Sequence, residues 1–248
     1  MDLGLADSVC LVTGSTGGIG LETAKLLRAE GATVLTTGRS GGDVRADLAQ
    51  AGEPERVVDE VEARHGRIDV LVNNVGVAYQ RAFEEVTDAE WQSAWDTNVM
   101  SYVRAIRAAL PHLRASGHAA IVNVASTAGK RPSAGMPQYS VTKAAVLSLS
   151  RLVADVHAKD GIRCNAVCPG PTRTPAWLGE GGLADQTAAR GGPGRDEVLE
   201  NVGKGRPIGR MAEADEIAAV IAFLASPAAS YVTGAAWSAD GGTVPVII

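Results

Sequence analysis

Short apolar runs recur along the chain at residues 8–12, 33–36, 68–72, 119–124 and 162–167. Longer stretches between them, 54–65, 88–114 and 139–158, return their apolar residues at helical spacing. A continuous apolar run suits a strand covered on both faces, and such strands alternating with helices predict an α/β fold built on a doubly wound parallel sheet. No linker or internal repeat interrupts the alternation, so residues 1–248 are expected to form a single domain. Thr87-Asp88-Ala89-Glu90 marks a helix start with a capping carboxylate, the stretch ends at Gly117, and Asn98 falls inside it. Between Arg39 and Pro54 the chain is too short for a full helix and a strand, which predicts a loop with a short strand near residues 43–46. Residues 176–206 are rich in glycine and carry Trp177 and Leu178; a loop this long is expected to be a mobile lid, with a plain surface loop as the alternative.

Composition narrows the class. A chain of 248 residues can bury a substantial core, and a net charge of −5 argues against nucleic acid as the main partner. The amino end has no charged-then-apolar leader, and no apolar run approaches the ~18 residues of a membrane span, so a cytoplasmic protein is expected. Three cysteines fit a reducing compartment. Cys164 and Cys168, four apart on one strand, would stand ~13 Å from each other, too far for a disulfide. His65, His112, His118 and His157 show no ligand spacing, and no metal is expected.

Two motifs carry chemistry. The first apolar run leads into Thr13-Gly14-Ser15-Thr16-Gly17-Gly18-Ile19-Gly20 and then a helix that stops at Gly31. Strand, glycine-rich turn and helix open a dinucleotide-binding unit, in which glycines let the backbone approach a pyrophosphate and the helix N-terminus meets its charge. A flexible loop is the plain alternative. The second motif is Tyr139 and Lys143, four apart and so on one helical face, with Ser126 upstream. A cation near a phenol favours the phenolate and lowers a pKa that is ordinarily about 10. Ser126 would hold a reacting oxygen.

With Asn73-Asn74-Val75-Gly76, Asn98, Ser126, Tyr139, Lys143 and Pro169-Gly170 in that order, and Tyr231-Val232-Thr233-Gly234 and Asp240-Gly241-Gly242 near the end, the chain resembles the short-chain dehydrogenase/reductase family over nearly its full length. The resemblance implies a Rossmann-like sheet of about seven strands, order 3-2-1-4-5-6-7, with helices on both faces. It also implies the catalytic set Asn98, Ser126, Tyr139 and Lys143, with Lys143 binding the nicotinamide ribose and Asn98 holding a water that links Lys143 to solvent. An asparagine capping a kinked helix is the alternative for Asn98. The implied cofactor contacts are Gly14, Ser15, Thr16, Gly18, Ile19, Gly20, Arg39, Asp47, Leu48, Asn74, Gly76, Tyr139, Lys143, Pro169, Gly170, Thr172 and Thr174. Val75 departs from the family's usual alanine and predicts a tighter fit beside the adenosine half.

Cofactor choice turns on residues 36–40. The position where an acidic residue would accept from a ribose 2′-hydroxyl is Gly38, and Arg39 follows, with Ser40 and Ser15 as further donors. This favours NADP(H) over NAD(H), although an arginine flat on the adenine would serve both. The expected reaction is hydride exchange with a carbonyl or secondary alcohol of a small molecule, similar to the 3-oxoacyl-(acyl-carrier-protein) reductases, with an acyl thioester among the candidate substrates. An NAD(H)-dependent sugar, polyol or steroid-type alcohol dehydrogenase is the alternative, and a non-catalytic dinucleotide sensor a more remote one. Ala128, Lys130, Arg131, Pro132, Met136, Val77 and Trp177 are expected to face substrate, with Lys130-Arg131 either pairing an anionic group or forming a solvated turn. A homotetramer is expected, with the apolar tail 244–248 buried at a subunit contact.

Overall fold

The computed structural model describes residues 2–245. In chain order the elements are β1 (Val9–Val12), α1 (Gly18–Ala29), β2 (Thr33–Gly38), β3 (Val44–Arg45), α2 (Glu53–His65), β4 (Val70–Asn73), α3 (Asp88–Trp95), α4 (Ser101–Ala115), β5 (Ala120–Val124), α5 (Thr127–Lys130), α6 (Pro137–His157), β6 (Arg163–Pro169), α7 (Pro175–Leu178), α8 (Leu183–Ala189), α9 (Arg195–Lys204), α10 (Ala214–Ala225) and β7 (Ala236–Ala239). The strands form one parallel sheet in the order β3-β2-β1-β4-β5-β6-β7. β1 pairs Val9 with Thr33 on one side and Cys10 with Val70 on the other, so strand order reverses there and a crevice opens beyond the carboxyl ends.

Alternation along each strand builds two cores. Leu11, Leu71 and Ile121 face α2 and α4 with Val58, Val61, Ile106 and Leu113. Their neighbours Val12, Val70, Val72 and Val122 face the other way, onto Leu27 of α1 and Ile217, Ile221 and Leu224 of α10. Burial on both faces is why these strands read as unbroken apolar runs. At the amino edge of the sheet Asp69 is fully buried, accepting from Val9 N at 2.8 Å, Ser116 Oγ at 2.6 Å and Arg67 at 2.7 Å.

The trimmed crossover after β2 is present. Instead of a helix, Asp43 Oδ2 accepts from Thr36 N at 2.9 Å and Thr36 Oγ1 at 2.7 Å, which folds the loop back into the two-residue β3.

Two expectations need correction. The stretch 88–114 is not one regular helix: Thr87 and Glu90 form the expected capping box, but a π-helical turn, Asp96–Met100, separates α3 from α4. Its cause lies in Asn98, described below. The glycine-rich stretch 176–206 is not one long loop, because it holds α7, α8 and α9. Its glycines punctuate short helices: Gly179 and Gly205 end two of them, and Gly182 and Gly194 begin two. The excursion also closes on itself, since Arg173 N donates to Ala212 O at 2.8 Å and Ala212 N to Pro171 O at 3.0 Å. Among the described residues no helix is long and apolar enough to cross a membrane, and no cluster of His, Cys, Asp and Glu could hold a metal. Of the expected apolar tail, residues 246–248 lie outside the described residues.

Candidate active site

A cavity of about 1010 Å³ lies beyond the carboxyl ends of the strands. That is at the upper end of the ~300–1,000 Å³ typical of small-molecule sites, room for more than one ligand.

Its floor is the loop after β1. Asn74 Nδ2 donates to the carbonyls of Thr13 at 3.1 Å and Gly14 at 2.9 Å, while Asn74 N donates to Thr13 Oγ1 at 2.9 Å. Asn74 therefore shapes the loop with its amide and lines the cavity as well. A Cβ on Gly20 would come within 2.5 Å of Gly14 O, so only glycine lets α1 pack this close to the loop. Gly14, Thr16, Gly18 and Ile19 line the cavity, and the first turn of α1 has neither an acidic residue nor a side-chain cap to occupy its amides. Bare main chain at a helix start is the feature a pyrophosphate needs, so the loop fits a dinucleotide. Ser15 is a correction. Its hydroxyl donates to Val12 O at 2.6 Å and accepts from Thr37 N at 3.0 Å, and the residue is buried. It ties β1 to β2 and has no donor left for a ligand.

Beyond the loop, Arg39, Asp47 and Leu48 line one end of the cavity. Arg39 is exposed and has no carboxylate partner among the described residues. Ser40 is exposed but does not line the cavity. Asp47 Oδ1 accepts from Ala49 N at 3.2 Å, and Leu48 is anchored in the core, which fixes this loop beside the cavity.

At the centre, two residues beyond the end of β5, Ser126 caps α5 by accepting from Ala128 N at 3.1 Å. That bond uses a lone pair and leaves the O–H to donate. A carbonyl or alkoxide oxygen is the acceptor it suits. Tyr139 and Lys143 stand on successive turns of α6, the ammonium 5.7 Å from the Tyr139 ring centroid. Lys143 Nζ donates to Val124 O at 2.7 Å and to Tyr102 Oη at 3.4 Å. Tyr102, one helical turn beyond Asn98, is fully buried and reaches the carbonyls of Val75 and Val124 at 2.9 and 3.1 Å. Its part in seating Lys143 is legible only once the π-turn places it, although the i+4 spacing from Asn98 was a signal.

The electrostatics differ from the simple expectation. Burial pushes the Tyr139 phenol up, the hydrogen bond from Ser126 draws it back, and Cys168 adds a further upward push. Burial drives Lys143 down to about 7. An ammonium this close to neutrality, and bonded to Val124 O, is not lowering the Tyr139 pKa here. The pair is instead poised so that the lysine can give up a proton near neutral pH.

Asn98 is fully buried, and both of its amide protons are committed, to Val77 O at 3.0 Å and Thr142 Oγ1 at 3.0 Å. Its Oδ1 accepts from Val77 N at 2.8 Å. A side chain locked to a neighbouring strand end from mid-helix explains the extra residue of the π-turn. The amide protons of Asn98 are thus taken, the second lone pair of its Oδ1 is left to accept from a water, and the π-turn fits the kinked-helix reading. Gly76 lies beside both groups: a Cβ there would make ordinary contacts at 3.4 Å with Lys143 Nζ and 3.5 Å with Asn98 Oδ1.

From the β6 side, Pro169, Gly170, Thr172 and Thr174 line the cavity, Thr172 Oγ1 donating to Gly170 O at 2.9 Å. Val77, Ala128, Arg131, Pro132, Met136 and Trp177 line it as expected of substrate-facing residues. Lys130 does not. Its ammonium donates to Ala236 O at 2.7 Å and Ser238 Oγ at 2.9 Å, tying α5 to β7. Arg206, Thr243 and Val244 also line the cavity, and no local pattern in the sequence marks them.

A family model described as Enoyl-(Acyl carrier protein) reductase matches residues 14–244. The oxidoreductase YvrD of Bacillus subtilis (strain 168) is 38% identical over 98% of this chain and 99% of its own length. The cis-4-hydroxycyclohexanecarboxylate dehydrogenase of Sinomonas cyclohexanicum is 36% identical over 97% of this chain and 98% of its own. Among solved structures, the L-sorbose reductase of Gluconobacter frateurii complexed with NADPH and L-sorbose superposes with a TM-score of 0.90 at 33% identity, covering both chains completely.

Proposed function

The chain belongs to the short-chain dehydrogenase/reductase family of NAD(P)-binding oxidoreductases, and on that premise we propose that it is an NADP(H)-dependent enzyme interconverting a ketone and a secondary alcohol. One observation carries the reading: Ser126, Tyr139 and Lys143 meet in the same cavity as a bare glycine loop and an unpaired Arg39. The cofactor, when bound, supplies hydride exchange with the substrate carbon.

The residues of the chain handle binding and the proton. Gly14, Thr16, Gly18 and Ile19 present the pyrophosphate cradle, with Gly20 and Asn74 holding it in shape. Arg39 would pair a 2′-phosphate, Asp47 and Leu48 would border the adenine, and Gly76, Pro169, Gly170, Thr172 and Thr174 would hold the nicotinamide side. Ser126 donates to the substrate oxygen and stabilises the negative charge that grows there. Tyr139 Oη gives that oxygen its proton on reduction and takes it back on oxidation. Lys143 Nζ, driven down to about 7, restores the phenol's proton and reaches toward the ribose. Asn98 and Tyr102 position Lys143 rather than touching substrate.

Support for the substrate class comes from the named relatives, one a dehydrogenase of a cyclic secondary alcohol and one a ketose reductase. A 3-oxoacyl substrate is a member of the same ketone class. The test is turnover of the purified protein against acyl thioesters, cyclic ketones, sugars and polyols with NADPH and NADH in parallel. A preference for NADPH with any ketone supports the proposal. Preference for NADH returns the assignment to an NAD(H)-dependent alcohol dehydrogenase, and cofactor binding without turnover of any substrate points to a sensor.

A homotetramer remains our expectation. Val141, Leu152 and Val156, exposed on one face of α6, support burial against a second copy of this chain. Sedimentation at micromolar concentration that gives a stable monomer rules it out.

A further inference from the structure

The two ends of the cavity carry different charge. Sheet order places Arg39 and Asp47, which follow β2 and β3, at one end, and the segments after β5, β6 and β7 at the other. At that second end the lining includes two guanidiniums, Arg131 and Arg206, and no Asp or Glu.

Several arginines in the segments around this end are paired with carboxylates. Arg173 is matched with Glu213, Arg190 with Glu85, Arg195 with Asp185 and Arg210 with Glu216, all in the segments that surround this end. Arg131 and Arg206 have no carboxylate partner among the described residues. The Arg131 main chain is pinned at the end of α5, where its N donates to Thr127 O at 2.8 Å, and the Arg206 side chain is held by Nε donating to Val202 O at 3.1 Å. The second bond leaves the Nη pair of Arg206 available to a ligand. Lys130, the neighbour of Arg131, is bonded to β7 and takes no part, while Arg131 is exposed and lines the cavity.

Unpaired guanidiniums in a cleft that also holds the proton-transfer groups call for an anion on the molecule that enters. The planar fork of arginine matches a carboxylate in two parallel hydrogen bonds, which a lysine cannot do. Trp177, Leu183 and Val202, from α7, α8 and α9, line the same end and enclose it, which suits a small acid. We propose that the substrate is a keto acid or hydroxy acid whose carboxylate is bound by Arg131 and Arg206 while its reacting carbon lies at Ser126 and Tyr139. This rests on the ketone–alcohol reading above.

The test compares matched pairs in the full-length protein with each cofactor: 4-oxocyclohexanecarboxylate against its methyl ester, and 3-oxobutanoate against its methyl ester. The acid should be favoured in kcat/KM by about 10–100-fold, mostly through KM, as expected for a charge-assisted contact made alike in ground and transition states. In the Arg131→Gln, Arg206→Gln double variant that ratio should fall at least about tenfold, and Arg131→Lys should keep part of it. Calorimetric titration of the cofactor-loaded protein with cyclohexanecarboxylate gives a readout that does not depend on turnover, and binding should weaken by a similar factor in the double variant. Esters turned over as well as acids, an acid preference that survives the double variant, or a pantetheine thioester preferred to both would overturn the proposal while leaving the reaction class intact. Failure of every ketone and alcohol with both cofactors removes the reaction class and the carboxylate with it.

Discussion

Thr16 occupies the space that a side chain at Gly38 would need. A Cβ built on Gly38 would lie 2.8 Å from Thr16 Oγ1 and 3.3 Å from Thr16 Cβ. The place where an acidic residue would select an unphosphorylated ribose is thus closed by a neighbour, and the first side chain available to the ribose is Arg39. Gly38→Asp alone should therefore weaken both cofactors instead of switching preference. Combined with Thr16→Gly and Arg39→Ala it should admit NADH. Dissociation constants for NADPH and NADH in the wild type, Gly38→Asp and the triple variant check this, and a clean switch by Gly38→Asp alone would contradict the steric argument. Arg39→Ala by itself should cost NADPH about tenfold or more in affinity and leave NADH nearly unchanged, the scale of one charge-assisted hydrogen bond at a partly exposed site.

Tyr139→Phe removes the proton donor and almost no volume. Turnover should fall by about 10²–10⁴-fold, the usual range for general acid–base catalysis, while cofactor affinity and unfolding temperature stay close to wild type. Activity retained in this variant would sink the assignment of Tyr139.

Lys143 makes stability depend on pH. Burial drives its folded pKa down to about 7, below the ordinary lysine value of 10.5, so between these values the unfolded chain binds the extra proton and stability rises with pH. The penalty for burying the charge is complete below about pH 7 and gone by about pH 10.5. Relative to Lys143→Met, the wild type should therefore gain unfolding free energy as pH rises from 7 toward 10.5. Urea titrations of both proteins at several pH values measure the slope, and parallel curves would refute the burial argument.

Asp69 acts in the opposite sense. Burial pushes its carboxyl up, but the hydrogen bonds from Arg67, Ser116 and Val9 outweigh this and hold it below the usual carboxylate range. Its contribution is present above the unfolded pKa and is lost as pH falls through the folded value. Asp69→Ala leaves the Val9 amide buried without a partner and should cost about 1–3 kcal/mol. Because Asp69 sits at the amino edge of the sheet, far from the cavity, kcat per folded molecule should not change; denaturant midpoints and rates on the same preparations separate the two effects.

Most of the fold was legible because the sheet is covered on both faces, which makes each inner strand an unbroken apolar run and sets its order through right-handed crossovers. The capping box at Thr87 and the short β3 were equally local. What escaped was decided by contacts distant in sequence. Asn98 is bonded to Val77, and that pairing, not propensity, puts a π-turn in the helix. Glycines at 179, 182, 194 and 205 look like a floppy loop until the helices they bound are seen docked. In the site, the glycine loop and the Tyr139–Lys143 pair were readable from spacing, whereas the commitment of Ser15 to β2 and of Lys130 to β7 depends on strands brought alongside by the fold. Arg131 and Arg206 are 75 residues apart in sequence, and only the fold puts both on the wall of one cavity.

The excursion between β6 and β7 begins and ends where Pro171, Arg173 and Ala212 exchange backbone hydrogen bonds. Its two stems are thus zipped together, and whatever lies between them puts no tension on the sheet. Length and sequence in α7, α8 and α9 can drift, or be transplanted from a relative, with the dinucleotide cradle and the proton-transfer groups left in register. Beyond the stems the described bonds from this wall to the rest of the chain are few, Gln186 with Gln80 and Arg190 with Glu85 among them, so a graft of it would have to keep only those and the zipped ends.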